Sequence, residues 1–118
     1  MISSLLNKKK TYKDFKNKTF VLTGYSNGIG HQVYENLNSL GSKIILIGRK
    51  KIKNKEFFEC DLSDSIKLDL LSRSISKKFN RIDGIVHCAG TNNCVNISEI
   101  PLNEWNKVFA VNLTSAYI

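Results

Sequence analysis

Phe20-Val21-Leu22-Thr23-Gly24-Tyr25-Ser26-Asn27-Gly28-Ile29-Gly30 is an apolar run that ends in three spaced glycines, and Val33, Leu37 and Leu40 behind it recur at helical spacing. The stretch predicts a strand, a glycine turn and the opening of a helix. At such a junction the helix N-terminus offers unpaired N–H groups and a partial positive charge to an anion, and glycine lets the backbone come close. Gly24 suits the tight turn, Gly28 the approach to a phosphate group, and Gly30 close packing of the helix. Ser26 and Asn27 add side-chain donors, and Ile29 completes the candidate loop. Spaced glycines also mark ordinary turns without a ligand, so the rest of the chain has to decide.

Three later segments each end an apolar run with a turn or polar element: Ile44-Ile45-Leu46-Ile47-Gly48-Arg49, Cys60-Asp61-Leu62 and Ile85-Val86-His87-Cys88-Ala89-Gly90. Together they predict strands near 19–23, 43–47, 56–60 and 82–87, with helices near 28–40, 64–79 and 102–116. Gly41 stands where a glycine closes the first helix, and Asp61 or Ser63 where a cap opens the second. Pro101 begins the third helix, where a missing N–H costs nothing. The alternation implies an α/β fold with a doubly wound parallel sheet of the Rossmann type. That sheet is expected to be incomplete, with about four strands, and to stop in the helix after the fourth. The fourth strand, Ile82 to His87, should then lie at an open edge. Residues 1–17 form a lysine-rich N-terminal arm and 18–118 a single dinucleotide-binding domain, with no internal repeat.

On these segments the chain resembles the short-chain dehydrogenase/reductase family. The family's Thr-Gly-x-x-x-Gly-x-Gly matches at Thr23, Gly24, Gly28 and Gly30, and its Asp-Leu after the third strand matches at Asp61 and Leu62. Its Asn-Asn-Ala-Gly stands here as His87-Cys88-Ala89-Gly90, and its Trp followed by Val-Asn-Leu as Trp105 with Val111-Asn112-Leu113. The resemblance runs from about residue 18 to Ile118. It implies the N-terminal, cofactor-binding part of an NADP(H)-dependent oxidoreductase acting on a carbonyl or alcohol, with 3-oxoacyl-carrier-protein reductases as a likeness within the family. A small-molecule carbonyl or alcohol, or an acyl-carrier substrate, is implied as partner. So is a homo-oligomer of the complete protein through the helix that carries Leu102, Trp105, Val108, Phe109 and Leu113.

The family's residues carry over in the same way. Asp61 is expected to reach the adenine amine, with Leu62 near the ring, while Ala89 and Gly90 let a strand end pass close to the cofactor. His87, beside Cys88, stands where the family has paired Asn. Asn112 matches the Asn that holds a water in the family's proton relay and is the remaining member of its catalytic set. The family's Ser and Tyr-x-x-x-Lys lie beyond that Asn, and no such motif follows Asn112. These 118 residues are therefore expected to be inactive alone. The alternative is a non-catalytic dinucleotide-binding module or a degenerate relative.

Cofactor choice falls at the end of the second strand, where an acid would accept hydrogen bonds from the NAD ribose and a base would pair with the extra phosphate of NADP. Gly48-Arg49-Lys50-Lys51 holds no acid, and a guanidinium binds a phosphate through two charge-assisted hydrogen bonds. NADP is expected rather than NAD, although many NADP-using relatives carry a base where this loop has Asn27. Net charge is +8, but the basic residues are spread over several elements without interleaved aromatics, which argues against nucleic acid. Cys60, Cys88 and Cys94 are too few and too irregular for a zinc site or a disulfide framework, so no metal is expected and reduced, cytoplasmic thiols are. The N-terminal charge order is the reverse of a secretory signal, and no run approaches membrane-spanning length.

Overall fold

A computed structural model of the chain describes residues 12–53 and 55–118. Its strands are β1 (Thr19–Thr23), β2 (Lys43–Gly48), β3 (Glu56–Glu59) and β4 (Gly84–His87), and its longer helices α1 (Gly28–Ser39), α2 (Ser65–Lys78) and α3 (Leu102–Phe109). All strand pairs are parallel, in the order β3-β2-β1-β4. The chain therefore builds outward from β1 to β3, then crosses back to place β4 on the other side of β1. That reversal is the switch point at which doubly wound sheets hold ligands.

The period-2 alternation of the strands explains the two layers of helix. Val21, Ile45 and Ile47 face one side and bury with Leu68 and Ile75 of α2, while Leu22, Ile44 and Leu46 face the other and bury with Tyr34 and Leu37 of α1. β2 is covered on both faces, which is why Ile44 to Ile47 form a continuous apolar run. Burying each such side chain stabilises the fold by about 1.5–3 kcal/mol. β4 is the outer strand among the described residues, and its Ile85 remains 59% exposed.

Several local details differ from the sequence expectations. α2 is capped by Asp64, whose carboxylate accepts from the Lys67 N–H at 3.0 Å, and not by Asp61 or Ser63. Asp61 instead accepts from the N–H and hydroxyl of Ser63, which removes both from capping. The third helix does not run unbroken to 116. α3 ends at Phe109, Ala110–Thr114 widens into a π-helical turn, and Ser115–Tyr117 closes the chain as a last helical turn. The end of the N-terminal arm also packs on the domain. Tyr12–Phe15 forms a 3-10 turn, Phe15 stacks on Phe20 with ring centroids 5.7 Å apart, and Asn17 donates to the Gly41 carbonyl. Lys8 to Lys10 lie outside the described residues.

β1 and β4 are pinned at both ends. At the N-terminal end Asp83 accepts from the Thr19 N–H at 2.9 Å, pairs with Arg81 at 2.7 Å and with Lys18 at 3.4 Å, and donates its own N–H to Thr19. At the C-terminal end the Cys88 N–H donates to the Thr23 carbonyl and the Ala89 N–H to the Thr23 hydroxyl. Just beyond, the chain leaves no room for side chains: a Cβ on Gly24 would lie 2.2 Å from the Ala89 nitrogen, and one on Gly30 would lie 1.9 Å from the Gly24 carbonyl oxygen.

Two outcomes follow. Gly30→Ala must displace backbone, whereas Gly28→Ala has open space and meets only the strain of its φ of +52°, about 1–2 kcal/mol. Urea unfolding should therefore show the larger loss for Gly30→Ala, and equal losses would contradict the packing. The Asp83 carboxyl is held below the usual carboxylate range, first by the Thr19 N–H and then by Arg81 and Lys18. Its folded-state contribution is present above the unfolded pKa, about 3.9, and is lost as pH falls through the lower folded value. The difference in melting temperature between wild type and Asp83→Asn should accordingly shrink below about pH 4; a constant difference across the acid range would show that the charge contributes nothing.

Candidate functional site

The carboxyl ends of all four strands open onto one cleft of about 720 Å³. Gly24, Ser26 and Asn27 line it from the loop after β1, Arg49 from the end of β2, Asp61 and Leu62 from the end of β3, and Ala89 and Gly90 from the end of β4. These sequence candidates, scattered over 67 positions from 24 to 90, are thus brought to one wall-to-wall site. The others are placed differently. Gly30 lies beneath, against Gly24 and Cys88. Gly28 and Ile29 sit at the exposed opening of α1 rather than in the cleft wall. His87 pairs with Thr23 in the β1–β4 ladder, its side chain exposed and its pKa lowered by partial desolvation.

The start of α1 faces the same cleft through Asn27. Asn27 holds the N-cap position in extended conformation, yet its side chain makes no cap bond to the first-turn N–H groups and no acid stands in that turn. The N–H groups and the dipole are left for a ligand. Across the cleft, Asp61 is the acid. Both Ser63 bonds, 2.9 Å from N–H and 2.8 Å from hydroxyl, go to its Oδ1. They lower its pKa most, with help from the charges of Arg49 and Lys107, so Asp61 is an anionic acceptor at neutral pH. Its Oδ2 keeps acceptor capacity for a donor such as an adenine amine.

Asn112 does not line the cleft; it secures the segment that does. Its Oδ1 accepts from the Thr91 N–H and its Nδ2 donates to the Thr91 carbonyl, both at 2.8 Å. It stands in the π-helical turn, where Ser115 Oγ also donates to the Val111 carbonyl at 2.6 Å. Such widened turns recur at functional sites because they free backbone groups from the regular ladder.

Sequence reasoning missed several cleft residues. Lys107 and Val111 share one face of the third helix, four residues apart, a signal that was present in the spacing. Tyr25, 2% exposed, and Lys50 also line it, as do Cys60, Cys88 and Thr91. The Cys60 thiol is raised in pKa by burial and then by Asp64 and Asp61, which keeps it protonated and unreactive. Tyr12 and Lys16 stand four residues apart, the family's Tyr-x-x-x-Lys spacing, but before β1. Lys16 lies against Gly41 at the amino ends of the strands, opposite the cleft, so the pair is not the family's catalytic motif.

Comparisons with known proteins agree with this geometry. The sequence model of the short chain dehydrogenase family matches residues 18–118. An uncharacterized oxidoreductase of Staphylococcus epidermidis is 26% identical over 108 residues, covering 83% of this chain and 47% of that protein. The chain thus spans about half the length of the curated relatives it matches. Among solved structures, ligand-free aldohexose dehydrogenase of Thermoplasma acidophilum aligns with a TM-score of 0.79 at 27% identity, over 89% of this chain and 42% of that one. A Leptospira borgpetersenii short chain dehydrogenase with bound NAD+ aligns at 0.79 and 22% identity, over 92% and 45% of the two chains. Pseudomonas aeruginosa RhlG with NADP aligns at 0.73 and 23% identity, over 89% and 46%. With a parallel sheet, a glycine-lined switch point and a family match over 101 of its 118 residues (18 to 118), the chain belongs to the short chain dehydrogenase family of oxidoreductases.

Proposed function

We propose that the chain is the NADP(H)-binding part of an oxidoreductase that interconverts a carbonyl and an alcohol. The observation that carries this reading is the cleft itself: a helix N-terminus that the Asn27 side chain leaves uncapped, Gly24 packed on the end of β4 beside it, and Arg49 at the end of β2 in a Gly48–Lys51 stretch that holds no acid. The pyrophosphate would lie on the N–H groups at the start of α1, the 2′-phosphate against Arg49, and the adenine between Asp61 and Leu62. When bound, the nicotinamide supplies or accepts the hydride. Ala89 and Gly90 at the end of β4 would leave room for it, and Asn112 bonds Thr91 just beyond them.

Solved relatives hold NAD+ in one case and NADP in another, so family membership leaves the choice between them to local charge. Arg49 at the end of β2, with no acid from Gly48 to Lys51, supports NADP(H). The substrate is a small carbonyl or alcohol, or an acyl carrier, and the compartment cytoplasmic. In the complete protein the exposed apolar row Leu102, Trp105, Phe109 and Leu113 supports self-association into a homo-oligomer. A second reading, binding without turnover, is favoured for these 118 residues by one observation: the only Tyr-x-x-x-Lys spacing, Tyr12 to Lys16, belongs to the far end of the sheet from the cleft.

Nicotinamide fluorescence should show NADPH binding more tightly than NADH, and Arg49→Ala should weaken NADPH by about 10- to 100-fold through loss of charge-assisted hydrogen bonds. NADH should change little; equal loss for both cofactors would mean that Arg49 does not meet the phosphate. The purified 118-residue chain should oxidise no NADPH with simple ketones or aldehydes. Turnover above the buffer blank would require a proton donor that this account does not provide.

A further inference from the structure

Tyr25 is among the most deeply buried large side chains, yet it follows the turn glycine directly, in the middle of the loop that meets the ligand. Its ring stands edge-on to Phe57 of β3, with centroids 6.5 Å apart and planes at 82°. Its hydroxyl donates a hydrogen bond to the Lys50 carbonyl. A Cβ added to Gly48 would lie 3.1 Å from Tyr25 Cε1 and 3.3 Å from its hydroxyl oxygen. The residue therefore touches the end of β2 twice, once by volume over Gly48 and once by hydrogen bond one residue past Arg49.

We infer that Tyr25 is the positioning residue for cofactor selection: its ring fills the space an acidic side chain at position 48 would need, and its hydroxyl holds the Arg49–Lys50 turn where a 2′-phosphate can be met. The inference deepens the NADP(H) reading above and rests on it. Selectivity in this chain is then set from two sides. Arg49 supplies the charge, while Tyr25 supplies the exclusion of an acid and the fixed backbone on which Arg49 is mounted. An exposed arginine on an untethered turn would lose much of its bidentate geometry to side-chain and backbone freedom. The tether is a protonated donor over the working range, since burial raises the phenol's pKa despite the bond to Lys50.

The physical link also joins the two halves of the site. The loop after β1 carries the phosphate-binding glycines, and the turn after β2 carries the 2′-phosphate base. Tyr25 belongs to the first and grips the second, adding a side-chain tie just past the β1–β2 ladder, which ends with Thr23 opposite Ile47. A smaller residue at 25 would leave both parts present and their separation loose.

The test is Tyr25→Phe in this chain, with Gly48→Ala as a second variant that keeps the hydroxyl but crowds the ring. NADPH and NADH dissociation constants are measured by nicotinamide fluorescence, and the turn is probed without nucleotide by the rate of tryptic cleavage after Arg49, Lys50 and Lys51, read by mass spectrometry. For Tyr25→Phe we expect NADPH to weaken by about 3- to 10-fold, as for one lost hydrogen bond. NADH should stay within about twofold, and cleavage in the turn should accelerate. Gly48→Ala should move the NADPH-to-NADH ratio in the same direction, which carries the test if Tyr25→Phe does not fold. A wild-type preference for NADPH that neither variant alters overturns this inference alone. Unchanged cleavage in Tyr25→Phe also overturns it, by showing that the hydroxyl does not hold the turn. Equal binding of the two cofactors by wild type overturns the NADP(H) reading and this inference together.

Discussion

The meeting of Gly24, Gly30 and the end of β4 is the constraint on which the rest of the structure depends. Backbone touches backbone there, with a Cβ on Gly24 or Gly30 excluded by 2.2 Å and 1.9 Å approaches. This contact requires β4 beside β1, which requires the crossover that reverses the strand order. The reversal opens the crevice, and the same glycines bring the N-terminus of α1 to its floor. The burial of Thr23, bonded to Cys88 and Ala89, fixes the register so that the four strand ends finish at one level. A site that draws residues from 24 to 111 is therefore assembled by a contact among a few glycine, alanine and cysteine atoms.

The charge of the chain acquires meaning only from this geometry. A net charge of +8 spread over the surface makes a general attraction for anions, screened over about 8 Å at physiological salt. Arg49, Lys50 and Lys107 line the cleft, and Arg49 and Lys107 also act on Asp61. The cations favour phosphate, while Asp61, kept ionised by Ser63, supplies an acceptor that a phosphate cannot use. One end of the cleft thus presents cations and an anion to different parts of a ligand, a pattern suited to a nucleotide more than to a simple anion.

The parts legible in the sequence were those written in short-range pattern. The apolar runs of β1, β2 and β4 and the spaced glycines predicted the sheet, its parallel sense and its switch point, because period-2 burial and close backbone approach leave direct marks on residue choice. The π-helical turn at Ala110–Thr114 left none; the bonds that accompany it, Asn112 across to Thr91 and Ser115 back to Val111, exist only in the folded chain. Capping of α2 by Asp64 was hidden by two equally suited neighbours, Asp61 and Ser63, and was settled when those two bonded each other. Tyr25 was invisible for a different reason. Its partners, Phe57 and Lys50, are 32 and 25 positions away, so only the folded chain brings them to it.

Asn112 shows how such a fold divides labour between binding and chemistry. The amide uses both its acceptor and a donor on the Thr91 backbone, so its side chain is a strut between the third helix and the loop after β4. A strut at this point does more than stabilise. Thr91 follows Gly90, whose added Cβ would come within 3.6 Å of Asn112 Oδ1, so the amide also sets how far the low wall of the cleft stands from the helix. The two bonds to Thr91 leave the exposed amide one N–H and one lone pair for water, and the widened π-helical turn is where backbone groups also leave the regular ladder. The residue that matches the family's catalytic Asn in the sequence is thus, in the folded chain, tied to Thr91 beside the end of β4.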